Sequence, residues 1–207
     1  MLRSTLWHSV LAALLLTVAL PAVAAAQTDV VPVYRLIQSA GTVDFTISAR
    51  MLFGFKREGR FTDFTGQLSY DAARPHDTRV DLTVFTSSVV MDDREEADIL
   101  RSPDFFDVDR FPTMHFVSSA AAVAADGHGT VTGDLTIRGI TKRITVPVRL
   151  ASSAAGAQPA PVFETTFQID RTEFGLNGTP RWGGVKVSIG RNVQVHVAVT
   201  AAVGSQR

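Results

Sequence analysis

The sequence predicts an all-β protein: a single antiparallel β-barrel of about eight strands, with one short helix before the segment around Leu100. Three observations carry this reading. Apolar residues recur at every second position along several segments, the period of a half-buried strand. Short stretches rich in turn formers separate those segments, so neighbours in sequence pair as hairpins. A strand with one apolar face must bury it, and closing a meander on itself does so while removing the exposed edges.

In chain order, residues 1–26 have the three parts of a secretory signal: Arg3 at the start, an apolar run from Val10 to Leu20, and small residues at Ala24, Ala25 and Ala26. Cleavage is expected near Ala26, leaving one domain over residues 27–207. The apolar run is shorter than the roughly 20 residues of a membrane-spanning helix, and Pro21 ends it. Alternation then appears in Val43, Phe45 and Ile47, and again in Val80, Leu82 and Val84. It is cleaner in Ile144, Val146, Val148 and Leu150, in Phe163, Thr165, Phe167 and Ile169, and in Val193, Val195, Val197 and Val199. Pro147 stands inside one of these runs and has no N–H for a ladder bond, so an edge or bulge is expected there. Only Arg138-Gly139 separates the strand ending at Ile137 from the one starting at Ile140, which predicts a tight hairpin with positive φ at the glycine.

One region breaks the alternation. Asp92 to Leu100 contains good helix formers with acids at the start, where the helix dipole favours negative charge, and Pro103 stops it. Its acid cluster reads as a solvated helix start rather than a cation site. Phe105 and Phe106 follow and are expected to plug the barrel.

The chain has 20 basic and 20 acidic residues, and loss of Arg3 with the signal leaves one acid in excess, which argues against a nucleic-acid partner. There is no cysteine, hence no disulfide and no thiol for a lipid anchor. His76, His115, His128 and His196 show no metal-binding spacing, and no nucleophile elbow, Walker loop or dinucleotide fingerprint occurs. Neither an enzyme nor a required cofactor is expected. The 13 phenylalanines, against two tyrosines and two tryptophans, make the aromatic content chiefly nonpolar and suit it to hydrocarbon. On the residues alone, the phenylalanines read better as ordinary filled core than as the wall of a hollow barrel.

Three phrases go further: Leu100 to Asp107 followed by Phe111-Pro112, Gly133 to Lys142, and Ile169 to Gly175. Together they resemble the YceI family, from about Tyr34 to Ala201. The resemblance implies an exported barrel of lipocalin-like shape holding a polyisoprenoid lipid or isoprenoid quinone in a tunnel, in the periplasm. Residues expected to line it are Phe45, Ile47, Phe53, Phe55, Phe61, Val84, Phe105, Phe106, Phe111, Phe116, Leu135, Phe167 and Phe174. Met51, Met91 and Met114 read as plain core packing, with adaptation to a ligand chain as the alternative. Many relatives carry histidines where this chain has Ala49-Arg50 and Ile99, so a head-group grip through them does not carry over. Arg50, Lys56, Arg57 and Arg60 read as solvated charges, and Arg171 as the partner of Asp170 or Glu173. The expected partner is an isoprenoid ligand, with transient membrane contact and a possible homodimer left open. The competing reading is a filled barrel that docks onto an envelope protein through Asn177 to Ser188, with Trp182 as anchor.

Overall fold

The computed structural model describes residues 31–50, 54–153, 160–182 and 184–203. The expected signal segment, Met51 and Phe53 lie outside these residues.

Among the described residues, twelve strands and one α-helix follow in chain order: β1 (Val33–Arg50), β2 (Gly54–Phe61), β3 (Phe64–Ser69), β4 (Arg79–Phe85), β5 (Val89–Met91), α1 (Arg94–Arg101), β6 (Thr113–Val123), β7 (His128–Ile137), β8 (Ile140–Ser153), β9 (Ala160–Asp170), β10 (Arg181–Trp182), β11 (Val185–Lys186) and β12 (Ser188–Val203). Around the barrel the order is β12, β9, β8, β7, β6, β4, β3 and β1, and β1 returns to β12, so eight strands close as predicted. β1 pairs with β12 from Tyr34↔Val203 to Arg50↔Ser188, with register shifts after Ile37 and Ile47. On its other edge β1 pairs first with β3 and then with β2, whose far edge pairs with β5.

The hairpin at Arg138-Gly139 forms with Ile137 opposite Ile140. Both turn residues have positive φ, Arg138 at 50° and Gly139 at 73°. This is the backbone that a right-twisted two-residue hairpin demands. A Cβ on Gly139 would also stand 3.3 Å from the Phe111 ring. Asp93 caps α1 by accepting from Glu95 N at 2.8 Å, so the helix starts two residues after the predicted Asp92 and ends where Ser102 and Pro103 leave it.

We call the end bearing α1 the upper end. Leu68, Val131, Leu150, Val199 and Ala201 fill the lower half and are at most 3% exposed. Burying each of the larger ones stabilises the fold by about 1.5 to 3 kcal/mol.

Candidate functional site

From the level of Val43, Val146 and Val197 upward, with Val80 and Phe163 at its floor, the interior opens into an apolar cavity of about 170 Å³. Strand alternation puts its wall in place. Phe45 and Ile47 of β1, Leu82 and Val84 of β4, Met114 and Phe116 of β6, Leu135 of β7, and Phe167 and Ile169 of β9 all point inward and line it. Several of them, among them Phe45, Phe116, Leu135, Phe167 and Ile169, pack against the buried core yet are only partly buried themselves. Inward-facing apolar residues that remain accessible are the signature of an interior that side chains do not fill.

The upper end is capped by the segment after α1. Phe105 and Phe106 are 4% and 9% exposed and form part of the cavity wall, as the predicted plug requires. The Phe106 ring meets Phe61 edge-on at 5.4 Å between centroids, and Phe61 lies 5.6 Å from Phe45. The cap is fastened from the hairpin tip: Arg138 Nη1 donates to Phe105 O at 2.6 Å and to Gly175 O at 3.2 Å, and Arg138 lies 3.8 Å from the buried Asp107 carboxylate. Gly178 N adds a bond to Asp104 O at 3.1 Å.

Polar groups also reach the cavity, at its rim. Arg57 forms an ion pair with Glu96 at 2.7 Å, and the Glu96 side chain is 4% exposed. Burial pushes the Glu96 carboxyl above its ordinary value, while Arg57 pulls the other way. The solvated readings of Arg57 and of the helix acids therefore fail for this pair, because α1 lays Glu96 against the rim. Arg171 departs from expectation too. Its guanidinium is buried and donates to three backbone carbonyls, Gly190 O at 2.9 Å, Ile189 O at 3.4 Å and Leu176 O. Asp170 instead accepts from Arg191 at 2.7 Å and from the Thr172 hydroxyl at 2.6 Å, and Glu173 faces Lys142 at 3.9 Å.

Of the residues expected along a tunnel, Phe45, Ile47, Phe61, Val84, Phe105, Phe106, Phe116, Leu135 and Phe167 line the cavity. Three others sit off its wall. Phe55 lies near the start of β2, half-buried, with the Arg57 guanidinium 5.2 Å from its ring. Phe111 stacks by the hairpin turn, with Arg110 and Arg138 at 5.2 and 5.7 Å. Phe174 is 1% exposed in the core, ending a 3₁₀ turn over Arg171–Phe174. Selecting phenylalanines passed over aliphatic wall residues such as Ile144, Ile189 and Val193, which strand parity alone identifies. The backbone of Trp182 belongs to β10, and its side chain is outside what is described.

A closed antiparallel barrel around an apolar cavity places the protein among the lipocalin-like barrels. The chain matches the YceI-like domain over residues 34–201 and belongs to that family. A UPF0312 protein of Shewanella denitrificans is 33% identical over 144 residues, covering 68% of this chain and 72% of the relative. The crystal structure of BcnA from Burkholderia cenocepacia superposes with a TM-score of 0.68 at 28% identity, covering 81% of this chain and 99% of that one. A polyisoprenoid binding domain from Saccharophagus degradans, implicated in plant cell wall breakdown, has a TM-score of 0.64 at 15% identity, covering 83% and 98%, and at that identity shares the fold alone.

Proposed function

We propose that this protein is an exported carrier that holds a polyisoprenoid lipid or isoprenoid quinone in the upper cavity and performs no chemistry on it. The observation that carries the reading is the cavity itself, an apolar interior whose wall residues remain partly exposed. Membership of the YceI family and the polyisoprenoid binding domain among its structural relatives support the ligand class. Enclosure alone supplies affinity, since removing apolar surface from water is worth roughly 25 cal/mol per Å². The sequence features of residues 1–26 favour a periplasmic location, with cleavage near Ala26. An isoprenoid is collected from and delivered to a membrane, so transient membrane contact belongs to the same reading.

The test is organic extraction of the protein purified from its host periplasm, followed by mass spectrometry. A stoichiometric isoprenoid is the expected result. An empty extract, together with a melting temperature that no quinone or polyprenyl phosphate raises, overturns the reading, because ligand at a hundred times its Kd stabilises by about 2.7 kcal/mol.

A further inference from the structure

Pro147 has no N–H to give, and every strand of a closed barrel has two neighbours. β8 keeps its pairing with β7 throughout, from His128↔Arg149 to Ile137↔Ile140. The missing donor therefore falls on the edge that faces β9. There the pairing runs from Ser153↔Ala160 up to Arg149↔Glu164 and, among the described residues, stops. Yet β8 begins as far up as Ile140 and β9 continues to Asp170. The last link between them is a side chain, Thr165 Oγ1 donating to Pro147 O at 2.6 Å. At the rim β8 is tied to the chain that follows β9 through Lys142 and Glu173, 3.9 Å apart.

Between these two ties lies a window bounded by residues 143–146 of β8 and 166–169 of β9, four residues or roughly 13 Å of strand on each side. Its inward residues Ile144, Phe167 and Ile169 line the cavity and are only partly buried. Val148, Phe163 and Thr165, where the strands come together, are 5%, 4% and 6% exposed. Two other breaks in the wall are bridged. Gln38 Nε2 closes β1 to the turn before β3 by donating to Thr62 O and Asp63 Oδ1, both at 2.8 Å. Ser118 Oγ accepts from Val80 N at 2.8 Å where β6 leaves β4.

We propose that the window between β8 and β9 is the port through which the apolar chain of the ligand passes between cavity and exterior, so that the plugged end stays shut. This rests on the carrier reading. The upper end is occupied by Phe105 and Phe106, and their segment is fastened by the Arg138 bonds. Spreading the window breaks no ladder bond, whereas opening any paired seam breaks several. Its walls continue the hydrocarbon surface of the cavity, and the unpaired backbone groups at its edges are left to water while it is empty.

The decisive variant is Thr145→Cys with Gln168→Cys, two exposed positions opposite one another when the register is extended upward. A short bis-maleimide bridges the pair, and exchange of a fluorophore-tagged geranylgeranyl chain is followed. The bridged protein is expected to exchange at least about tenfold more slowly than the same variant with each thiol capped separately. Pro147→Val, which returns a donor to the β8 edge, is expected to slow exchange about threefold in an otherwise unmodified chain. Equal rates in the bridged and capped proteins overturn the window while leaving the carrier reading in place. Failure of the wild-type protein to take up the tagged chain at all overturns the carrier reading and the window with it.

Discussion

Below Val43 the barrel interior is packed with Leu68, Val131, Leu150 and Val199, all but fully covered; above it Phe45, Phe116, Phe167 and Ile169 face inward and stay partly exposed. The same alternation builds both halves. What separates them is the seam between β8 and β9, paired in the lower half and unpaired in the upper. The tighter lower half supplies the close packing that a single domain without disulfides depends on. The upper half spends part of that packing on room for a guest.

If this contrast is right, truncation should cost more below than above. Leu68→Ala removes a side chain at 0% exposure and is expected to lower stability by about 3 kcal/mol, whereas Phe167→Ala, on the wall of an existing cavity, costs about 1 to 2 kcal/mol despite deleting a larger group. Urea midpoints give both values, and a reversed order breaks the comparison. Arg171→Met leaves three carbonyls of the upper rim without their donor and is expected to cost about 2 to 3 kcal/mol. A cost near zero would mean that the rim holds without it. At the boundary between the halves, Thr165→Val removes the one bond to Pro147 O and is expected to cost about 1 kcal/mol while speeding ligand exchange.

The smallest effect is a matter of pH. Burial raises the Glu96 carboxyl, so its contribution to stability is present below the unfolded pKa and is lost as pH rises through the folded one. The hydrogen bonds from Thr172, helped by Arg191, lower Asp170, whose contribution is present above the unfolded pKa and is lost as pH falls. Against the wild type, Glu96→Gln should therefore gain stability, and Asp170→Asn lose it, on going from about pH 3 to about pH 7. Difference curves sloping the same way would mean that Arg57 outweighs burial at Glu96.

Much of this architecture was legible in the residues. The strands with clean alternation, the two-residue hairpin, the short helix and the plug all follow from local chemistry, and Pro147 announced the loss of a partner. β2 and β5 were not legible: β2 has its lysine, arginines and glutamate within eight residues, which resembles a turn until β1 is seen beside it. Hollow against filled was equally hidden, because valine, leucine and phenylalanine line both halves. The carbonyl cage around Arg171 was out of reach for a related reason, since backbone acceptors carry no sequence signal.

The Arg138 bonds join segments that lie 33 and 37 residues apart. Contacts of that span form after local hairpins have closed, so the cap docks once the hairpin of β7 and β8 is in place. In the native state the same bonds keep the cap closed: the amides of Phe105, Phe106 and Asp107, which bond within their own segment, should stay protected from solvent until the global unfolding that also frees those of β7 and β8.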